Sequence, residues 1–314
     1  MNERRESYLA IVNPAAGGGR SRKLLDPALA RLQAGEVEVD VVETRGAGDA
    51  TRIAREAYGR GRRRFIAVGG DGTSYEVVNG LFPEAAEGSP FNAGKAGEGA
   101  RPTLGFLPLG TGNSFLRDFS DRGVEHAIES LIAGRSQACD VLRLRHRDGV
   151  IHYINLLSVG FPADVATLRA RRFSRQGELG YVISIFLGLA RLRRRPFPVR
   201  TDSETEFDRR RCLFLTFNNS KFTGGTMMIA PKAQVNSGLI EYVRWGAIGR
   251  LGLIGNLPGL YDGTHIEHRL AERKAVKRVE FELNEPVDVM VDGEVLTLHC
   301  EEVDVLPGVL NVVV

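Results

Sequence analysis

Three apolar runs in the first third of the chain each end in a glycine-rich polar turn, and that recurrence restricts the fold more than any other feature. Tyr8–Asn13 runs into Pro14 and then Gly17-Gly18-Gly19-Arg20. Arg64–Val68 runs into Gly69-Gly70-Asp71-Gly72-Thr73, and Thr103–Leu107 into Pro108-Leu109-Gly110-Thr111-Gly112-Asn113. Leu24, Leu25, Ala28, Leu29 and Leu32 then recur at helical spacing. Val37–Val42 alternates like a strand, and Asp49–Tyr58 and Thr73–Leu81 read as helices. Strand, glycine turn and helix in repetition predict a doubly wound parallel sheet. Such sheets bind ligands where loops leave the C-terminal ends of the strands.

The pattern changes after about Cys139. Short alternating runs at 141–145, 152–157, 211–217, 239–244, 279–281, 287–291 and 303–306 suggest an antiparallel sandwich or barrel. Helices are expected at Gly180–Arg193 and Gly249–Tyr261. The reading is a nucleotide-binding α/β domain over 1–136 and a β-rich domain over 137–302. Between Glu84 and Pro102 the sequence is aperiodic and reads as a surface insertion, either a tolerated loop or a lid.

Composition narrows the class. The chain has 314 residues, enough for two cores, and a net charge of only +3 argues against a dedicated nucleic-acid binder. Cys139, Cys212 and Cys300 form no CxxC or Cys/His cluster, so buried thiols are expected rather than zinc or a disulfide framework. The first residues lack an apolar signal core, and no run reaches the roughly 20 apolar residues of a spanning helix. The cytoplasm is the expected compartment.

The chemistry centres on Gly69-Gly70-Asp71-Gly72-Thr73. Glycines let backbone N–H groups approach phosphate oxygens, and a helix N-terminus adds partial positive charge. A carboxylate there would repel phosphate directly, but Asp71 can act through Mg²⁺. The plain alternative is a tight turn capped by an aspartate. Three such turns on one sheet edge describe a nucleotide cleft better than packing does. There is no GxxxxGK[ST] and no GxGxxG with a following acid, which excludes a Walker loop and a dinucleotide fingerprint.

These motifs, in order, resemble the diacylglycerol kinase catalytic domain family, which includes bacterial lipid kinases and sphingosine and ceramide kinases. The resemblance includes Glu76-Val77-Val78-Asn79-Gly80-Leu81 after the second turn, Asn155-Leu156-Leu157-Ser158-Val159-Gly160-Phe161, and Gly224 through Ala233. It continues in Gly263-Thr264-His265, Val291-Asp292-Gly293-Glu294 and Leu306-Pro307-Gly308. It implies a phosphofructokinase-like α/β domain, then a β-rich lipid-facing domain, with a tail at about 303–314 packing back on the first. It implies ATP and Mg²⁺ as cofactors and a membrane lipid alcohol, diacylglycerol-like or sphingoid- or ceramide-like, as acceptor. By resemblance Asn13, Gly17, Gly69, Gly70, Gly72, Thr73, Gly110, Thr111, Gly112 and Asn113 line the ATP site. Asp71 serves the metal and catalysis, and Glu294 is the general base on the acceptor hydroxyl. From the residues alone, Asp292-Gly293-Glu294 reads as an ordinary hairpin turn.

Two departures matter. Where many bacterial relatives place acids that hold a structural Mg²⁺, this chain has Asn236 and Ser237. Where they have Asn-Asp-Phe, it has Asn113-Ser114-Phe115. Arginines cluster at Arg169–Arg175 and Arg191–Arg195, the second beside the apolar Gly180–Leu192 segment, which suits peripheral docking on an anionic membrane. A solvated basic face is the alternative. Lys221 and His265 are candidate phosphate contacts, and a homodimer is left open. Rival functions are NAD kinase, which shares GGDGT, and a catalytically inactive lipid-binding regulator.

Overall fold

Strands β1 (Tyr8–Val12), β2 (Val39–Glu43), β3 (Arg64–Val68) and β4 (Thr103–Leu107) form a parallel sheet in the order β2-β1-β3-β4. The molecule is described from a computed structural model covering residues 7–82, 101–110, 112–172, 183–184 and 187–314. Most of the expected insertion, Thr111, Arg175 and the start of the Gly180–Arg193 helix lie outside the described residues, as does the side chain of Arg171. Helices α1 (Arg20–Ala34), α2 (Asp49–Gly59) and α3 (Asp71–Leu81) each follow one of the first three strands. The sequence did not predict α4 (Val124–Ala133).

Apolar runs such as YLAIV and RFIAV are buried almost throughout, as a sheet covered on both faces requires. Leu25, Ala28 and Leu32 of α1 pack with Ala10, Val12, Ile66, Val68, Ile128 and Leu131. Because β2 lies on one side of β1 and β3 on the other, the strand order reverses at β1/β3. That is where doubly wound sheets open a crevice at their C-terminal ends.

The chain forms two compact units, Met1–Val141 with Leu306–Val314, and Leu142–Val305. It passes between them within β5 (Ser136–His146) and β18 (Cys300–Val313). The end of β18 joins the parallel sheet, Asn311 and Val312 pairing with Thr103 and Leu104 of β4.

The second unit is two layers of antiparallel strands. Its elements are β6 (Gly149–Tyr153), β7 (Leu156–Gly160), α5 (Phe161–Arg172), β8 (Arg195–Pro196), β9 (Val199–Thr201) and β10 (Arg211–Asn218). The short β11 (Phe222–Thr223) and β12 (Met227–Met228) follow, then β13 (Ile240–Gly246), β14 (Ala271–Val276), β15 (Arg278–Phe281), β16 (Val287–Val291) and β17 (Glu294–Leu298). One layer runs β14-β13-β10-β7-β16-β17, and β9, β15, β18, β5 and β6 supply the other. Phe217 of β10 meets Phe281 of β15 edge to face at 5.3 Å, joining the layers in one core. The chain is thus an α/β unit with a β-rich sandwich-like partner, as its patterning implies.

Two expected elements are divided. The run 152–157 is two strands broken at Ile154 and Asn155, and the expected helix 249–261 is two helices, Arg250–Asn256 and the single-turn Gly259–Asp262. Pro258, lacking an N–H, stands at the second break. Cys139, Cys212 and Cys300 are buried free thiols. Among the described residues no helix is long and apolar enough to cross a membrane.

Candidate active site

The three glycine turns meet backbone to backbone at the C-terminal ends of β1, β3 and β4. Gly69 N–H donates to Leu107 O at 3.1 Å, Gly110 N–H to Gly69 O at 2.8 Å, and Asp71 N–H to Gly112 O at 3.0 Å. Asn13 N–H reaches Val68 O at 3.0 Å, and its side-chain oxygen accepts from Ala15 N–H at 3.0 Å, closing the first turn on itself. Asn113 folds its amide back on Pro108 and Gly110 through long contacts of 3.5 and 3.4 Å.

Glycine is required here by space as well as by φ. A Cβ on Gly110 would stand 2.8 Å from Gly70 N and 2.9 Å from Gly69 C, and one on Gly69 would stand 2.3 Å from Thr73 Oγ1. Gly17, at φ 61, would meet Leu109 O at 3.0 Å. Gly110→Ala should therefore push the second and third turns apart. Its expected cost is about 1–3 kcal/mol, the usual penalty for overpacking. A thermal melt within 1 °C of wild type would show that the turns give way without cost.

This interlock decides which amides can meet a ligand. Those of Gly69, Asp71 and Gly110 are engaged in holding the turns. Among the described residues no hydrogen bond uses Gly70 N–H or Gly72 N–H at the start of α3. Thr73 is 5% exposed, and its hydroxyl has no partner among the described residues. A buried polar atom without a partner calls for one from outside the chain.

Asp71 braces the third turn, accepting from Ser114 N–H at 3.0 and 3.3 Å. Burial pushes its pKa up to about 6, against the lowering effect of the Ser114 bonds. Its negative charge is therefore under-compensated, which suits a cation nearby. Among the described residues no three His, Cys, Asp or Glu side chains gather as a metal cage. Asp71 alone fits Mg²⁺ only in the manner usual for that ion, one carboxylate with waters and nucleotide phosphates completing the shell.

Glu76 and Gly80, part of the same motif, do structural work. Glu76 accepts the N–H groups of Gly48 and Ala50 at 2.8 and 3.0 Å, capping α2. A Cβ on Gly80 would stand 2.5 Å from Thr51 O, so α2 and α3 pack closely there.

Glu294 belongs to the second unit, where it is exposed as the first residue of β17. Val291 pairs with Glu294 across a two-residue turn, Asp292 at φ 46 and Gly293 at φ 91. Both angles are positive, the type I′ geometry that Asp-Gly favours. Sequence reasoning missed what holds this turn. The Asp292 carboxylate, 3% exposed, accepts N–H groups of Ile154, Asn155 and Leu156 at 3.0, 3.1 and 2.9 Å. Asp292 N–H returns a bond to Leu156 O at 3.0 Å. The interruption between β6 and β7 exists to make these donors available. The sequence offered only the Asp-Gly pair as a signal, since the break between β6 and β7 is not visible in the apolar run 152–157.

Other candidates have different roles. His265 is buried, with Nδ1 and Nε2 each 3.1 Å from a backbone carbonyl, Gly259 O and Ile229 O, and burial lowers its pKa. It is a core residue and not a phosphate contact. Glu241, the acid nearest Asn236 and Ser237, is buried and held by two bonds from Arg273, so that segment does not fit a structural metal. A cavity of 640 Å³ along α2 and β2 is lined by charges that neutralise one another, Arg52 with Asp49 and Glu56 among them.

Comparison with known proteins agrees with this arrangement. Residues 7–144 match the diacylglycerol kinase catalytic domain, and residues 155–314 match the YegS C-terminal NAD kinase beta sandwich-like domain. The chain belongs to the diacylglycerol kinase catalytic domain family. Relatives of this family cover nearly all of it. A diacylglycerol kinase of Mycobacterium tuberculosis H37Rv is 28% identical over 308 residues, covering 96% of this chain and 93% of its own. One of Bacillus subtilis 168 is 28% identical, covering 90% and 88%. A crystal structure of a diacylglycerol kinase from Bacillus anthracis Sterne shares the fold, with a TM-score of 0.69 at 20% identity, covering 99% and 98%. Membership makes the chain a kinase.

Proposed function

We propose that this protein transfers the γ-phosphoryl group of ATP to the hydroxyl of a membrane lipid alcohol, diacylglycerol-like or sphingoid- or ceramide-like. One observation carries the reading: three interlocked glycine turns at the C-terminal ends of the strands leave the Gly70 and Gly72 amides and the buried Thr73 hydroxyl without a partner among the described residues. Phosphoryl transfer asks little covalent chemistry of a protein and depends on positioning and charge. The turns supply donors to phosphate oxygens. Asp71 supplies the carboxylate for Mg²⁺, which would neutralise the phosphates. Glu294 is proposed to accept the proton of the acceptor hydroxyl. An exposed glutamate on a rigid type I′ hairpin can reach a substrate without deforming the sheet behind it.

Glu294→Gln is expected to lower kcat by about 100-fold, the scale of general-base catalysis. KM for ATP should change by less than about 2-fold. A change in KM alone would assign Glu294 to binding.

The lipid family and the departures at Asn236, Ser237 and Ser114 leave the acceptor as the quantity to measure. Radiolabelled ATP should be offered with a panel of lipid alcohols in mixed micelles, with NAD as control. Label in lipid supports the reading, and label in NAD replaces it with NAD kinase. Vesicle binding with no transfer to any alcohol would mark an inactive lipid-binding regulator. A cytoplasmic protein working at the inner membrane face is the accompanying proposal for location.

A further inference from the structure

Of the seven large apolar side chains exposed among the described residues, three fall within one short stretch of the second unit. Leu251 is 86% exposed, Ile254 50% and Tyr261 52%. With the exposed Pro258 they recur at intervals of three, four and three residues along the helices Arg250–Asn256 and Gly259–Asp262, forming one outward stripe. The opposite stripe already satisfies the fold. Leu253 and Leu260 are 1% and 7% exposed and pack with Ile248, Trp245 and Phe214. The outward apolar residues are therefore not needed for the core.

The charge beside the helix Arg250–Asn256 is positive, and the exposed Asp262 at the far end bonds to Thr264. Between Trp245 and Tyr261 the only ionisable side chain is Arg250. It donates to Leu189 O at 3.0 Å and Ala190 O at 2.6 Å, fastening the ridge to the segment that carries Arg191, Arg193 and Arg194. Those three arginines are exposed, and Arg194 Nη2 lies 3.6 Å from where a Cβ on Gly249 would sit. Arg195 differs, being paired with Asp164. In the neighbouring 187–192 segment Leu189 is buried and Leu192 packs on the core, while Leu187 is half-buried.

We propose that the stripe Leu251, Ile254 and Tyr261, with Arg191, Arg193 and Arg194 beside it, docks on an anionic lipid bilayer. The apolar side chains enter the headgroup region while the guanidinium groups meet lipid phosphates. The ridge is narrow, flanked by Gly252 and Gly255, and carries a tyrosine, a residue favoured at membrane interfaces. Cations close to the surface add attraction that salt screens. This deepens the lipid-kinase reading, but its test does not depend on turnover.

The full chain should be sedimented with vesicles of phosphatidylcholine, with and without phosphatidylglycerol. Wild type is expected to bind the anionic vesicles more strongly, and less so at high salt. Leu251→Ser with Ile254→Ser should weaken that binding by about 10-fold or more, given the apolar area withdrawn from the bilayer. Arg193→Glu with Arg194→Glu should abolish the preference for phosphatidylglycerol. Circular dichroism and melting checks that each variant is folded. Where a fold fails, Leu251→Trp in the wild-type background reports insertion by a blue shift and by brominated-lipid quenching. Unchanged binding in both double variants, or no binding by wild type, overturns the proposal. A dimer that dissociates on Leu251→Ser would overturn it in favour of a second copy. Failure of the kinase reading looks different: vesicle binding intact, with no phosphate transferred to any lipid alcohol.

Discussion

Asp71→Asn is expected to lower turnover by about 1,000-fold or more while leaving the melting temperature within about 2 °C of wild type. The substitution keeps an oxygen to accept the Ser114 N–H, so the brace between the second and third turns survives. What it removes is the charge. On the proposed reading a divalent ion and the developing phosphoryl charge lose the Asp71 carboxylate, a loss on the scale of metal and electrostatic catalysis. Asp71→Ala is a poorer test, because it also releases the third turn. The same residue sets a pH dependence. Its pKa is pushed up to about 6 by burial, so the ionised form is lost as pH falls through that value. The kcat/KM for ATP should show an acid limb near pH 6 that disappears from the residual activity of Asp71→Asn. A variant with wild-type turnover, or a limb that persists in it, would remove Asp71 from the chemistry.

Asp292→Ala is expected to destabilise the second unit by about 3–6 kcal/mol. Three buried N–H groups lose their acceptor together, and each orphaned donor costs about 1–3 kcal/mol. The alanine would also occupy φ 46, a conformation that asparagine and aspartate tolerate far better. Against a total stability of about 5–15 kcal/mol for a domain, that is a large fraction. Urea titration followed by tryptophan fluorescence reads it directly, since Trp245 is buried in this unit. Asp292→Asn should recover part of the loss, because its amide oxygen can still accept two of the three donors. Equal midpoints for wild type and the alanine variant would mean that water serves the three amides as well as the carboxylate does.

The two units differ in how far their sequences reveal them. In the first, β3 and β4 fall on 64–68 and 103–107 as read from periodicity, because strands buried on both faces are uninterrupted apolar runs. The glycine turns were legible for a related reason. Gly17, Gly70 and Gly110 stand where another turn's backbone passes too close for a Cβ, so there the composition records the packing. The direction of the amides was not legible. The interlock engages those of Gly69, Asp71 and Gly110, and only the pairing of turns distant in sequence decides this.

In the second unit local pattern was a weaker guide. The strand read over 152–157 is broken because Asp292, more than a hundred residues later, draws the amides of Ile154 to Leu156 out of the ladder. Helix α5 went unread, since Pro162 sits near its start and Gly160 precedes it at φ 91. The outward stripe at Leu251, Ile254 and Tyr261 could not be told from a core stripe, because apolar residues line both sides of that helix. Exposure depends on which side the sheet takes, and the sheet is assembled from the whole chain.

The first unit takes residues from both ends of the described chain, while the second is one continuous stretch. During synthesis the sandwich has all its strands before the parallel sheet has its fifth. Until residues 306–314 leave the ribosome, β4 presents an open edge. The parallel sheet is therefore completed by a segment made after every strand of the second unit.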